Sequence, residues 1–234
     1  MLKKWIRRSA DKGSWAIEDQ TIVDNFTSVP ENTYLVSFPR TGSHWLRMLM
    51  ELYFEQPSLV RIFYYPEKKN YLALHTHDLE LSVKRLNVIY LYRHPVETVY
   101  SQLRYERDDI ENREKIAYWA DLYGRHLDKW LHQEDFTTKK TCLRYEGLKS
   151  EPAREFAKVC AHFGMKFDLH KLDEAAVRVS KKEVKSKTDH DPNVTNLSKE
   201  YTSTRKRFQE RQGGYVWKIL LAGRDHLKED FDNE

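Results

Sequence analysis

The sequence is poor in cysteine and contains no long apolar run. Its only two cysteines, Cys142 and Cys160, have a spacing that fits neither a zinc site nor a disulfide framework, so we expect two core thiols in a reducing compartment. No apolar stretch approaches the roughly 18 residues that a membrane span requires. The basic residues 1–15 are not followed by the apolar segment of a signal peptide. These absences predict a cytoplasmic protein without a membrane span.

The charge excess is also small. The chain contains 40 Lys and Arg residues against 36 Asp and Glu residues, which gives a net charge of +4. This mild basicity suits an anionic ligand, but it is too weak to predict a nucleic-acid partner. Hydrophobic residues make up 40% of the sequence and aromatic residues 13%, which is enough to build one packed domain over residues 1–234.

Short apolar runs alternate with helical patterns along the chain. This alternation predicts βαβ units, and therefore an α/β three-layer sandwich whose central, mostly parallel sheet of four or five strands is flanked by helices. The predicted strands are 34–38, 71–75, 87–92 and 140–145, and the predicted helices are 44–55, 96–106, 113–132, 152–163 and 215–229. We interpret residues 1–30 as a lead-in and residues 181–214 as a long polar surface loop that becomes ordered when ligand binds.

The segment SFPRTGSHW connects the first of these strands to a helix. The N-terminus of a helix presents unpaired N–H groups and a partial positive charge, which suits an anion. Gly42 allows a tight turn, Thr41 and Ser43 supply hydroxyl donors, and Arg40 supplies a forked cation. The segment therefore predicts a phosphate or sulfate cradle, although an ordinary capped helix start would have a similar pattern.

A second strand edge repeats this arrangement in VIYLYRHPVETVYSQ. Arg93 follows the strand, Pro95 suits the first turn of a helix, and Ser101 lies about two turns into that helix. Basic residues at the carboxyl ends of two parallel strands point into one crevice, where open α/β sheets bind ligands. We therefore predict that Arg93 and the Arg40 loop face the same site.

Two histidines lie between these loops in the stretch LALHTHDL. In an extended segment His75 and His77 point to the same side. Two histidines could bind a metal, but ligands at the usual spacing are lacking apart from Asp78. A neutral imidazole at a strand end could instead act as a general base, because its pKa lies near the working pH.

Taken together, these motifs resemble those of the PAPS-dependent sulfotransferases, whose fold is P-loop-like. SFPRTGSHWLR resembles the family's 5′-phosphosulfate loop, usually written YPKSGTTWL. YLYRHPVETVYSQLRY resembles its 3′-phosphate motif, in which Arg and Ser stand eight residues apart. HTHDL lies where the cytosolic branch has KTHLP, and LRYEGLKSEP is similar to the element YEDLKENP. The resemblance covers about residues 34–220.

The resemblance implies a role for each matching residue. His77 would take the proton from an acceptor hydroxyl, and Arg40 would hold the bridging and sulfuryl oxygens of PAPS. Nucleotide contacts would come from Arg40, Thr41, Gly42, Ser43, His44, Trp45, Arg93, Ser101, Tyr145, Ser180, Arg211, Gln212 and Gly213. The implied reaction moves a sulfuryl group from PAPS to a hydroxyl of a small molecule or saccharide, with an amine as the alternative acceptor, and releases PAP without a metal.

Several positions depart from the family pattern. Arg40 replaces the loop lysine, His75 replaces the lysine of KTH, and Lys181 replaces an aromatic residue beside Ser180. The C-terminal basic element is one residue short, so Arg205, Lys206, Arg207 and Arg211 are all candidates for the 3′-phosphate. The alternatives are a P-loop kinase, disfavoured because the loop has one Gly and no Lys, and a non-catalytic nucleotide-binding protein.

Overall fold

The computed structural model describes residues 6–8, 15–17, 19–135, 137–188 and 198–232. Its strands are β1 (Ile6–Arg8), β2 (Trp15–Ile17), β3 (Tyr34–Ser37), β4 (Arg61–Ile62), β5 (Leu74–Thr76), β6 (Asn87–Tyr92) and β7 (Lys139–Arg144). Its α-helices are α1 (Gln20–Thr27), α2 (Ser43–Phe54), α3 (Pro95–Glu106), α4 (Arg113–Leu127), α5 (Tyr145–Ser150), α6 (Pro152–His162), α7 (Leu169–Arg178), α8 (Lys181–Lys187) and α9 (Lys199–Leu220). A π-helical segment, Asp128–His132, extends α4, and a 3₁₀ turn, Asp225–Lys228, follows α9.

The central sheet has four strands in the order β5-β3-β6-β7, and all described pairs are parallel. In the register, Val36 lies opposite both Thr76 and Tyr90, while Tyr90 lies opposite Cys142. This confirms the predicted α/β fold with a central parallel sheet. A separate antiparallel sheet of order β1-β2-β4 lies outside it.

Alternating side chains give this sheet two buried faces, as expected when helices cover both sides of parallel strands. On one face Leu35 and Ile89 belong to a cluster that includes residues of α2, α6 and α7. On the other face Val36 and Tyr90 belong to a cluster that includes residues of α1 and α4 and the end of α9. The sheet is therefore the middle layer of three, as the sequence predicts.

The polar segment 181–214 was predicted wrongly as a loop. The structure forms α8 and α9 within it, while residues 189–197 lie outside the described residues. Phe208, Val216 and Leu220 are buried at helical spacing along α9, so a narrow apolar stripe is enough to pack this otherwise charged helix. The predicted lead-in 1–30 likewise contains β1, β2 and α1.

Candidate functional site

The parallel strands bring four connections to one edge of the central sheet. β3 leads into the loop 38–42, β5 into His77, β6 into Arg93 and β7 into Tyr145. Because the carboxyl ends of parallel strands share an edge, residues far apart in sequence meet there. The two basic loops predicted to face each other do so.

The loop between β3 and α2 has an unusual backbone. Gly42 has φ 98° and Arg40 has φ 73°, both in the left-handed region. This conformation costs a non-glycine residue about 1–2 kcal/mol, so the surrounding contacts hold Arg40 in place. Thr41 is fully buried, and its hydroxyl donates to the Phe38 carbonyl at 2.9 Å. The loop is thus a fixed turn that presents the Arg40 side chain above the sheet edge.

Tyr145 closes the side of this loop. A Cβ built on Gly42 would lie 2.6 Å from the Tyr145 ring, so only glycine allows this approach. The Trp45 and Tyr145 rings meet edge to face at 5.9 Å, and the Trp45 indole N–H donates to the Val179 carbonyl at 3.3 Å. Ser180, the residue after Val179, is exposed and caps α8. The structure therefore brings Trp45, Tyr145 and Ser180, three of the residues that the resemblance implies as nucleotide contacts, to one side of the loop.

Arg93 ties the second loop to the first. Its Nη1 donates to the Arg40 carbonyl at 3.2 Å, and its guanidinium lies 4.6 Å from the centre of the Tyr145 ring. It also forms an ion pair with Glu97 one turn along α3. The Arg93 Nε is buried without a hydrogen-bond partner among the described residues. The Glu146 carboxylate lies 4.0 Å from this Nε, so an anionic oxygen of a ligand that accepted from Arg93 would compete with Glu146 and Glu97.

Arg40 reaches the same helix, α3. Its Nε donates to the Ser101 hydroxyl at 3.1 Å, and its guanidinium lies 5.0 Å from the centre of the Tyr105 ring. Ser101 is 6% exposed, whereas Tyr105 is 44% exposed. The structure thus brings Arg40, Ser101 and Arg93 together on one face of the crevice.

The histidine pair lies at the end of β5, which flanks β3 on the side opposite β6; His75 is within the strand and His77 is the first residue after it. The His75 and His77 rings meet edge to face at 4.8 Å. His75 Nε2 is hydrogen-bonded to the Ser37 hydroxyl at 3.1 Å, and His77 Nδ1 lies 2.7 Å from the Ser37 carbonyl oxygen. A carbonyl oxygen only accepts, so Nδ1 of His77 carries the proton and its Nε2 is left as an acceptor.

Burial keeps the histidines near the loop neutral. It is the largest cause that lowers the pKa of His44 to about 3, with Arg47, Arg61 and Arg40 adding repulsion. Burial likewise lowers the pKa of His75 well below its usual value, and it lowers the pKa of His77 against a raising hydrogen bond to Ser37. At neutral pH these side chains are therefore in their neutral, singly protonated form.

Helix α9 places Arg205 next to the ion pair between Arg93 and Glu97. Arg205 lies 3.7 Å from the Glu97 carboxylate, and Gln209 donates to the same carboxylate at 3.4 Å. Arg211 is exposed and lies about 240° around the helix from Arg205. Gln212 donates to Glu111 at 2.8 Å, and a Cβ on Gly213 would lie 3.8 Å from Val96.

These positions do not support every predicted contact. Of the four predicted candidates for the 3′-phosphate, Arg205 lies next to the Arg93–Glu97 pair, whereas Arg211 falls on another side of the continuous helix α9. Gln212 is committed to the connection between α3 and α4.

Among the described residues, no group of three or more His, Cys, Asp or Glu side chains is placed to hold a metal ion. No helix in the described ranges combines the length and apolar character that crossing a bilayer demands.

Two solved structures share the fold of this chain. The mouse sulfotransferase SULT7A1 complexed with PAP superposes with a TM-score of 0.59 at 16% identity, covering 95% of this chain and 96% of that one. Retinol dehydratase in a complex with retinol and PAP gives a TM-score of 0.52 at 12% identity, covering 89% of this chain and 87% of that one. No curated protein matches the sequence.

The parallel sheet, the β3–α2 loop and the facing Arg93 loop define a P-loop-like α/β protein whose sheet edge is lined by two arginine-bearing loops. Within that class, residues 65–233 match the sulfotransferase domain family. The match covers more than two thirds of the chain, which therefore belongs to the sulfotransferase domain family. It begins after the β3–α2 loop, so the geometry of that loop is independent support.

Proposed function

We propose that this protein is a sulfotransferase that moves a sulfuryl group from PAPS to a hydroxyl of a small molecule or saccharide and releases PAP. The observation that carries the proposal is the hydrogen bond between His77 Nδ1 and the Ser37 carbonyl, 2.7 Å long. It leaves Nε2 as the proton acceptor at the sheet edge where the two arginine-bearing loops meet. The site therefore combines a base with an anion cradle.

The crevice has groups that fit a nucleotide with phosphates at both ends. The buried Nε of Arg93 makes no hydrogen bond among the described residues. Ser101 on α3 accepts from Arg40, whose carbonyl in turn accepts from Arg93. Arg93 and Ser101 would hold the 3′-phosphate. The loop residues Thr41, Gly42, Ser43 and His44 would hold the 5′ end, and Trp45, Tyr145 and Ser180 would surround the adenine. PAPS supplies the activated sulfuryl group.

The residues of the chain then have distinct tasks in an in-line transfer. His77 Nε2 accepts the proton of the acceptor hydroxyl as its oxygen bonds to sulfur, a contribution of roughly 10²–10⁴-fold. Arg40 and the N-terminus of α2 face the charge that develops on the departing bridging oxygen; one such donor typically contributes about 3 kcal/mol. Arg40 stays charged throughout.

Arg205 is the α9 residue that we propose for the 3′-phosphate, in place of Arg211. Its distance of 3.7 Å from Glu97 puts its charge next to that of Arg93. Arg205→Ala should weaken PAP binding by about 1.5–3 kcal/mol, as expected for loss of a charge-assisted contact. The matched control is Arg211→Ala on the same helix, which should leave the Kd within about twofold. Equal losses of PAP affinity in the two variants would show that binding depends on the overall charge of α9 and not on Arg205.

The donor can be tested without knowing the acceptor. Calorimetry should show PAP binding in the micromolar range or tighter without added metal, and much weaker binding of ATP with Mg²⁺. Mg²⁺-dependent ATP binding without PAP binding would favour a kinase and overturn the proposal. A screen of hydroxyl compounds with labelled PAPS then separates an enzyme from a non-catalytic nucleotide-binding protein.

A further inference from the structure

A buried histidine on α4 contacts the main chain of the proposed base. His126 Nε2 lies 2.9 Å from the carbonyl oxygen of His77, and His126 Nδ1 lies 2.9 Å from the hydroxyl oxygen of Tyr90. His126 and Tyr90 are both fully buried. The contacts link α4, the central strand β6 and the residue after β5, three elements that the sequence separates widely.

The direction of both hydrogen bonds follows from their partners. The carbonyl of His77 can only accept, so Nε2 of His126 carries the proton and donates it. Nδ1 is then the acceptor, and the Tyr90 hydroxyl donates to it. Burial, the largest cause, lowers the pKa of His126 to about 3, so this neutral, singly protonated ring is the form present at neutral pH. Each nitrogen has one partner of the right kind.

The contact between His126 and the His77 carbonyl lies just beyond the last paired residue of β5. The β5 ladder ends at the pairing of Thr76 with Val36, so His77 lies just beyond it. The next residue, Asp78, has φ 38°, which turns the chain away from the strand direction. The carbonyl of His77 therefore depends on a side chain for its partner, and His126 supplies it.

We propose that His126 is a positioning residue for sulfuryl transfer: it fixes the main chain of His77, so that the His77 ring can keep its Nδ1–H bond to Ser37 and present Nε2 to the acceptor. This rests on the proposed function, in which His77 is the base. His126 acts through His77 and does not touch the reacting atoms. The buried network is thus an extension of the active site into the core.

The test compares His126→Leu, which removes the donor, with His126→Gln, whose amide can donate to the same carbonyl. His162→Leu is the matched control, because His162 is also buried and bonds to Thr141 but not to His77. The readouts are melting temperature, PAP Kd, kcat with labelled PAPS, and the ¹⁵N chemical shifts of the His77 ring. The shifts report which ring nitrogen carries the proton and need no acceptor.

His126→Leu should change the His77 signature from Nδ1–H to a mixture of tautomers. It should also lower kcat by about 10-fold or more while PAP Kd changes by less than about threefold. His126→Gln should restore most of the Nδ1–H signature of His77 and most of kcat. His162→Leu should lower the melting temperature without either effect. An unchanged His77 signature in His126→Leu, or equal damage in the Gln variant or the control, would overturn the proposal.

Two further variants keep the result interpretable. If His126→Leu does not fold, Tyr90→Phe removes the hydroxyl that orients His126 while preserving shape, and it should produce a smaller change of the same kind. An unchanged His77 signature in Tyr90→Phe would then count against the proposal. If His77→Ala keeps full turnover, the base assignment fails, and this is distinct from the His126 result because the ¹⁵N readout does not depend on turnover.

Discussion

Adding one methyl group at Gly42 should damage both the fold and the site. The Cβ of Gly42→Ala would lie 2.6 Å from the Tyr145 ring, far inside van der Waals contact, and the backbone there has φ 98°. The ring cannot simply retreat, because it packs against Trp45 on one side and lies under Arg93 on the other. Both strain and displacement are therefore expected.

The two contributions can be separated with a second glycine. Gly164 has φ 66° and nothing within 4 Å of an added Cβ. Gly164→Ala should thus show only the backbone cost, about 1–2 kcal/mol, partly offset by about 0.4–1 kcal/mol from a stiffer unfolded chain. Gly42→Ala carries the same contributions plus an overpacking cost of about 1–3 kcal/mol. The difference between the two variants measures the contact with Tyr145.

Urea unfolding measures the stabilities, and calorimetry measures PAP affinity. Gly42→Ala should have the lower free energy of unfolding and a weaker PAP Kd, whereas Gly164→Ala should bind PAP as the wild type does. The penalty of Gly42→Ala should be smaller in a Tyr145→Ala background than in the wild type, because the overlap is then already absent. If the two glycine variants are equally stable and bind PAP equally, Tyr145 does not pack on Gly42 and the reasoning is refuted.

Three other outcomes follow from the site. Arg93→Ala should weaken PAP by about 1.5–3 kcal/mol but leave adenosine 5′-phosphosulfate nearly unaffected; equal losses in titrations would place Arg93 elsewhere. His77→Ala should lower kcat by about 10²-fold with little change in PAP Kd, while His75→Ala, which loses the Ser37 bond, should cost less turnover; the reverse order would exchange their roles. Burial lowers the pKa of His126 to about 3, so below pH 6.5 the unfolded chain binds a proton that the native state excludes. The free energy of unfolding should therefore fall with acid, by about 2 kcal/mol at pH 5. Unfolding at pH 7 and pH 5 should show a smaller loss in His126→Gln, and an equal loss would contradict this.

The central sheet could be predicted because its strands are short apolar runs that are buried on both faces. The strand 87–92 matches β6 (Asn87–Tyr92), and the strand 34–38 exceeds β3 (Tyr34–Ser37) by one residue. The position of the site followed from the same pattern, since polar residues at the carboxyl ends of parallel strands must share an edge. The pairing of Arg93 with the Arg40 loop needed no further information.

Other features were missed for physical reasons. Polar composition suggested a loop at 181–214, but α9 needs only the spaced residues Phe208, Val216 and Leu220 to pack, and its charged faces remain in solvent. Composition averages over all faces of a helix, whereas packing uses one. A search for four-residue spacing would have found this stripe.

The role proposed for His126 illustrates a limit of a different kind. In the sequence it lies within the apolar stripe of α4, between Tyr123 and Trp130, where a histidine is indistinguishable from any buried core residue. Its partners are a main-chain carbonyl and a tyrosine hydroxyl, and main-chain acceptors leave no residue-type signal. The bond depends on where β5 stops pairing, which is set by the sheet register and not by local propensity. A catalytic side chain can be proposed from a motif, but the group that holds its backbone is found only when the chain's end-of-strand hydrogen bonds are followed one by one.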